Sequence, residues 1–258
     1  MPELSPSTSL PAARREPPAG NTATGWLKLI ALVFMFIDHS GKMLFPAVPE
    51  MRILGRIAFP VYTWCMIVGF HYTRNVPRYL LRILAVGLVS QPLYVFALNH
   101  AWREPNIFLT LFLGLAGLWG IREKKAGSHL WAPVLTICLA TLLGANYGWR
   151  GVLLIFLLYA VRNSRPGIAA VMIAFFLFWG TSYSITKSLF GIPVNLNALP
   201  AFLSQPLSSV MRLETYGLLS LPLILIPFPK DLRMPKWLGY ALYPAHLALL
   251  LALEALFT

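Results

Sequence analysis

The sequence contains few charged residues, and very few of these are acidic. Only 12% of its 258 residues are charged, with nine Asp and Glu against 21 Lys and Arg. Soluble globular proteins average about 25% charged residues, so this deficit excludes a conventional water-soluble surface. The net charge of +12 does not predict a nucleic-acid partner, because the basic residues lie in short loops between apolar segments.

Cysteine is also scarce, with only Cys65 and Cys138 in the chain. Both lie inside apolar runs, and neither has a partner nearby in the sequence. We therefore interpret both as small core residues and predict neither a disulfide nor a cysteine metal site.

Long apolar runs take the place of these missing residues. Hydrophobic residues make up 57% of the chain, and several runs approach the roughly 20 residues that a helix needs to cross a bilayer. We predict an all-α fold, a polytopic transmembrane bundle of about nine spans in the lipid bilayer. The predicted spans are residues 26–45, 53–72, 79–98, 106–121, 131–144, 150–161, 167–186, 199–228 and 237–257.

The ends and orientation of this bundle follow from composition. Residues 1–24 are rich in Pro, Ser, Thr and Ala and predict a disordered cytoplasmic tail, which leaves residues 25–258 as a single transmembrane domain. With the N-terminus inside, about twice as many basic residues face the cytoplasm as face the other side, in agreement with the positive-inside rule. The outer half of the first span then contains Asp38 and His39.

The first predicted span contains three polar residues, Asp38, His39 and Lys42, in the stretch FMFIDHSGKMLF. A charged side chain near the centre of a membrane helix costs roughly 2.5–3.5 kcal/mol on insertion scales, which makes such residues functional candidates. Asp38 and Lys42 are four residues apart and can face each other. His39 points about 100° away, either to a hydrogen-bond partner on another helix or into a functional site.

Two further segments bring polar groups to a similar depth. Arg56 enters the second predicted span in ILGRIAFPVY, and His246 follows Tyr243 in GYALYPAHLALL. Arg56 is either the counter-ion of a buried Asp38 or a group that binds an anionic or carbonyl part of a substrate. His39 and His246 can form a metal site, a proton path or an acid–base pair. Metal is the weakest of these, since Arg56 would repel a cation.

Three further candidate residues, with weaker sequence signals, lie elsewhere. Arg78 and Arg82 are four residues apart at the cytoplasmic face, where they either hold phosphates or only fix the topology. Asn146 stands in the segment NYGW between two short apolar runs. We include all three as candidate substrate-binding residues.

Several segments together resemble the TraX family, integral membrane proteins named for the acetylation of conjugative pilin. These segments are LKLIALVFMFIDHSG, RILGRIAFPVYTWCMIVGFHYTRN, RYLLRILAVGLVSQPLY, NIFLT, NYGWRGVLLIFLLY and LGYALYPAHLALL. The resemblance implies a relationship to membrane acyltransferases that take acetyl-CoA from the cytoplasm and use an intramembrane histidine as base. The matching positions are Asp38, His39, Arg56 and His246. In that family an acidic residue often precedes the Tyr-Gly of the YG-x-x-G segment, whereas this chain has Asn146, which leaves the acceptor open.

The resemblance thus implies an acetyltransferase of the bacterial inner membrane, with acetyl-CoA as co-substrate and without a metal. His39 would be the catalytic base, with Asp38 as its orienter or as the partner of Arg56, and His246 can replace it. Arg56 or Tyr243 would stabilise the oxyanion. The acceptor would be an amine or hydroxyl of a pilin N-terminus, a glycan or a small molecule. The alternatives are a proton-coupled transporter and a non-catalytic membrane component of a pilus or secretion complex.

Overall fold

The computed structural model describes residues 16–180 and 188–257. These residues form a bundle of helices, which confirms the predicted helical class. The α-helices are α1 (Thr24–Met43), α2 (Pro49–Gly55), α3 (Ala58–Tyr72), α4 (Val76–Leu98), α5 (Ile107–Glu123), α6 (Ser128–Leu142), α7 (Gly148–Ala160), α8 (Arg165–Gly180), α9 (Ala201–Val210), α10 (Leu221–Leu225) and α11 (Lys236–Phe257). A minimal antiparallel pair joins β1 (Ser188–Leu189) to β2 (Ile192–Pro193).

Three helical stretches of the described residues are long and apolar enough to cross a membrane. They are Pro49–Tyr72, which joins α2 and α3, Val76–Leu98 and Trp237–Leu256. Their length and composition indicate a membrane protein. The total of nine spans and the cytoplasmic N-terminus stay predictions.

The predicted eighth span, residues 199–228, is not one continuous helix. The structure divides it into α9, a 3₁₀ helix (Leu213–Ser220) and α10. Pro206 lies inside α9 and Pro222 lies in the first turn of α10. Because proline has no N–H to donate, it interrupts a long helix more readily than apolar composition alone suggests. Residues 181–186 of the predicted seventh span lie outside the described residues.

Residues 16–23 differ from the disorder predicted for residues 1–24. The Asn21 side chain is fully buried, and its Nδ2 donates to the Leu223 carbonyl oxygen at 3.1 Å. The Trp64 Nε1 donates to the Asn21 carbonyl oxygen at 2.7 Å. These hydrogen bonds attach the segment before α1 to α3 and α10, and so hold the chain in place where α1 begins at Thr24.

Helix α3 forms the centre of the bundle. Its side chains Trp64, Ile67 and Phe70 are buried, as expected for a helix that is apolar on every side. Helices α1, α5 and α7 pack around it, and α11 packs against α1 and α4. Helix α2 also packs against α1, so that Asp38 faces the α2 region and His39 faces α11.

Asn106 anchors the start of α5 to α4. Its Oδ1 accepts from the Phe108 N–H at 3.0 Å, which caps α5. Its Nδ2 donates to the Gly87 carbonyl oxygen at 2.7 Å and to Gln91 Oε1 at 2.9 Å. The connection between α4 and α5, which contains His100 and Glu104, is therefore held at both ends.

Candidate functional site

A cavity of about 660 Å³ lies beside α1 and is lined by residues of α1, α3, α4 and α11. This is within the roughly 300–1,000 Å³ usual for small-molecule sites. On α1 the cavity reaches from Thr24 through Met35 to Lys42. At 1.5 Å per residue this is about 27 Å along the helix, close to the roughly 30 Å hydrocarbon thickness of a bilayer. The cavity therefore extends along nearly a whole membrane thickness.

His39 and His246 contact each other directly, which confirms their predicted convergence. His39 Nδ1 lies 2.9 Å from His246 Nε2, and the rings stack with their centroids 5.1 Å apart and their planes 18° apart. His39 lines the cavity, whereas the buried His246 stands behind it.

The proton positions in this pair follow from its partners. His246 Nδ1 lies 3.4 Å from the Leu242 carbonyl oxygen, and a carbonyl oxygen can only accept. We therefore assign the proton of His246 to Nδ1, so that in the neutral ring Nε2 accepts from His39 Nδ1–H. The lone pair of His39 is then on Nε2, for which the described residues provide no hydrogen-bond partner. This geometry favours His39 over His246 as a base.

Asp38 is held by two arginines of the α2 region. Its Oδ2 lies 2.9 Å from Arg52 Nη1, and its Oδ1 lies 2.8 Å from Arg56 Nη2. Arg56 also contacts Glu214 Oε1 at 3.1 Å through Nη1 and the Arg52 carbonyl oxygen at 3.3 Å through Nε. All three nitrogens of Arg56 are thus engaged. Of the two roles predicted for Asp38, these contacts match that of a partner for Arg56, and His246 takes the role of orienting His39.

Gly55 makes the close approach of Asp38 to α2 possible. A Cβ at this position would overlap Cβ, Cγ and Oδ1 of Asp38. We expect Gly55→Ala to destabilise the protein by about 1–3 kcal/mol, the usual cost of overpacking, measured as a lower melting temperature in detergent. Gly239→Ala is the matched control, since its Cβ would meet only Met234 Sδ at 3.7 Å. An equal loss in both variants would contradict the prediction.

Lys42 does not pair with Asp38, contrary to the prediction from their spacing. Its Nζ lies 2.8 Å from His100 Nε2, and His100 Nδ1 lies 2.6 Å from Glu104 Oε2. The Ala101 N–H also donates to Glu104 Oε2, at 3.1 Å. The hydrogen bonds from His100 and Ala101 hold the pKa of the exposed Glu104 below its usual value. Lys42 and His100 both line the cavity.

Tyr243 and Asn146 also line the cavity. The Tyr243 ring packs edge-on against His246, with centroids 5.1 Å apart, which places it beside the histidine pair. Asn146 Nδ2 donates to the Tyr94 hydroxyl at 2.7 Å. Arg78 and Arg82 are exposed and outside the cavity lining, although Arg82 is close to the hydroxyl of Tyr240, which lines it.

Four polar residues of this region were not predicted from sequence: Arg52, His100, Glu104 and Glu214. The sequence contains a spacing signal for three of these four residues, Arg52, His100 and Glu104. Arg52 precedes Arg56 by one helical turn, and His100 precedes Glu104 by the same spacing. Glu214 lies in a run predicted as a membrane span, where its contact with Arg56 could not be foreseen. Among the residues that the structure describes, no three His, Cys, Asp or Glu side chains group as metal ligands.

The TraX protein family matches the chain over residues 23–254. The chain belongs to this family. The match covers all of the residues placed around the histidine pair.

Individual relatives share only modest sequence identity with the chain. A Rickettsia prowazekii (strain Madrid E) protein named "Uncharacterized protein RP591" is 34% identical over 98 residues, 38% of this chain and 37% of the relative. "Probable fimbrial assembly protein FimC, serogroup H1" of Dichelobacter nodosus is 26% identical over 87% of this chain and 92% of its own length. Protein TraX of Escherichia coli (strain K12) is 31% identical over 50% of this chain and 52% of its own. No solved structure matches the chain.

Proposed function

We propose that this TraX-family protein is a multi-pass acetyltransferase of the bacterial inner membrane. It transfers an acetyl group from cytoplasmic acetyl-CoA to an amine or hydroxyl reached from the outer face. The observation that supports this most is the position of His39. It lines a cavity that is nearly as long as a membrane is thick. Its Nδ1 is hydrogen-bonded to His246, which leaves the lone pair of Nε2 available as a base.

The chemistry assigned to the site needs one base and one oxyanion donor. His39 Nε2 removes the acceptor proton as the acceptor attacks the thioester carbon, and the resulting imidazolium then protonates the departing CoA thiolate. The imidazolium keeps its Nδ1–H hydrogen bond to His246 throughout. Tyr243 suits the oxyanion better than Arg56 does, because every Arg56 nitrogen already contacts Asp38, Glu214 or a backbone oxygen.

The two ends of the cavity suit the two substrates. With the N-terminus inside, the end near Thr24 faces the cytoplasm, and Lys28 and Arg233 line it. These cations suit the phosphates of CoA, and Arg82 adds a further charge beside Tyr240. The opposite end, at Lys42 and His100, receives the acceptor. The names of the relatives, TraX and a fimbrial assembly protein, favour a pilus-related acceptor such as a pilin N-terminus, while a glycan or a small molecule fits the same chemistry.

Transfer across a sealed membrane tests this function. Purified protein is reconstituted in proteoliposomes with labelled acetyl-CoA on one side and candidate amine and hydroxyl acceptors on the other. We expect label on the acceptor in proportion to CoA released, and none in protein-free vesicles. Acceptor flux coupled to protons, with acetyl-CoA unconsumed, would instead identify a transporter, the second function that a membrane-length cavity suits. A pilus-assembly component without catalysis would show neither and would keep its biological function in a His39→Ala strain.

A further inference from the structure

Two basic side chains at the outer end of the cavity have hydrogen-bond donors to spare. Arg52 uses only Nη1, for the carboxylate and the carbonyl oxygen of Asp38, so Nε and Nη2 have no acceptor within residues 16–180 and 188–257. Lys42 contacts His100 alone over the same residues, although an ammonium group has three N–H bonds. Both side chains line the cavity.

The hydrogen bonds around Lys42 hold its side chain in one position. His100 Nδ1 donates to Glu104, so its neutral ring can only accept at Nε2, and Lys42 must donate there. Tyr94 stacks on His100 with ring centroids 4.7 Å apart and planes 3° apart, which fixes the ring in place. Lys42 is therefore held in position, with its remaining N–H bonds available to a ligand.

The charges at this end are unevenly neutralised. Arg56 contacts two carboxylates, Asp38 and Glu214, and Arg52 shares Asp38 with it. Lys42 contacts an imidazole rather than a carboxylate, and Glu104 lies on the far side of that ring. A ligand with an anionic group complements such a site better than a cationic ligand does.

On the basis of the proposed function, we propose that the acetyl acceptor has a carboxylate or phosphate group that Lys42 and Arg52 bind. Lys42 follows His39 by three residues on α1, and side chains at this spacing are about 5–6 Å apart. The anionic group is thus about one helical turn from the nucleophile that His39 deprotonates. The preferred acceptor is an anionic hydroxyl or amino compound, and a peptide amine fits only with an acidic group beside it.

Matched pairs of small acceptors test this proposal in a maltoside detergent, which contains neither carboxylate nor phosphate. Serine is compared with serinamide, and phosphoethanolamine with ethanolamine, as acceptors of labelled acetyl groups. We expect the anionic member of at least one pair to have a KM at least about tenfold lower, in line with charged hydrogen bonds. The pair that shows the difference identifies carboxylate or phosphate as the anion.

Variants along α1 separate the two ends of the cavity. Lys42→Met should abolish the preference for the anionic member, and Lys42→Arg should keep it. Lys28→Met, at the opposite end of the same cavity, should raise the KM for acetyl-CoA and leave the preference intact. Arg103→Met, an exposed cation outside the lining, should change neither.

Three results would overturn the proposal while transfer itself is observed. The first is that the two members of each pair have equal KM values with the wild-type protein. The second is that Lys42→Met changes only the KM for acetyl-CoA. The third is that the preference for the anionic acceptor disappears when phosphatidylglycerol is added to the micelles. The last would assign the cations to lipid phosphates. If no probe is acetylated, the proteoliposome experiment decides the proposed function, and binding decides the anion site separately. Phosphoserine should then raise the melting temperature of wild type but not of Lys42→Met, and an absent or equal shift would reject the site.

Discussion

An Asp38→Asn variant is expected to lose much of its stability, with a melting temperature in detergent far below that of wild type. A neutral amide cannot balance Arg52 and Arg56, whose guanidinium groups both contact the Asp38 carboxylate. The Arg56 side chain is only 10% exposed and cannot turn to water. Removing one partner of a buried ion pair costs about 3–5 kcal/mol, a large part of the roughly 5–15 kcal/mol that stabilises a typical protein.

Two matched variants show whether the loss comes from the charge. Asp38→Glu keeps the charge but adds a methylene against Gly55, where there is no free space, and should fall between wild type and Asp38→Asn. Glu104→Gln removes an exposed carboxylate that also contacts a basic side chain, and should leave the melting temperature close to that of wild type. An Asp38→Asn variant as stable as Glu104→Gln would show that the arginines do not depend on Asp38.

The convergence of the two histidines could be predicted from sequence because it depends on few assumptions. A helix of known length entering from one side places His39 at a definite depth, and the last apolar run places His246 at a similar depth. Both predicted spans nearly coincide with helices of the structure, α1 and α11. That the two rings are neighbours could not follow from depth alone, since it requires α11 to pack against α1.

The partner of Asp38 was predicted only in part, for a physical reason. Arg56 was recognised as a candidate counter-ion, but the spacing rule for one helix favoured Lys42 as the local partner. In the fold, α2 brings Arg52 and Arg56 to the same carboxylate, and the planar guanidinium suits a buried carboxylate better than an ammonium does. Gly55 allows the approach, and Lys42 is left to contact His100.

The long segment before α11 shows the limit of apolar composition as a signal. Residues 199–228 are apolar enough to predict a span, yet they form short helices that place Glu214 against Arg56. Gly217 packs against the Phe176 ring so closely that a Cβ would overlap it. Such a packing contact depends on α8 and leaves no periodic trace in the sequence.

Replacement of His39 is expected to have the largest effect on acetyl transfer, and replacement of His246 a smaller one. His39→Gln removes the base and should lower kcat by about 10²–10⁴-fold, with the KM for acetyl-CoA little changed. His246→Ala keeps the base but removes the acceptor of the His39 Nδ1–H, so ring orientation and tautomer are no longer fixed. We expect a smaller loss of kcat there, measured with the same labelled acetyl-CoA.

Recovery of kcat by a glutamine substitution distinguishes the base from the residue that orients it. His246→Gln provides a side-chain oxygen that can accept from His39 Nδ1–H and should recover part of the kcat lost in His246→Ala, whereas His39→Gln offers no base. His129→Ala, an exposed histidine at the start of α6, is the control and should keep wild-type kcat. If His246→Ala lost more activity than His39→Gln and glutamine gave no recovery, His246 would be the base. The hydrogen bond that His246 Nε2 accepts from His39 Nδ1 would then have to break before each turnover.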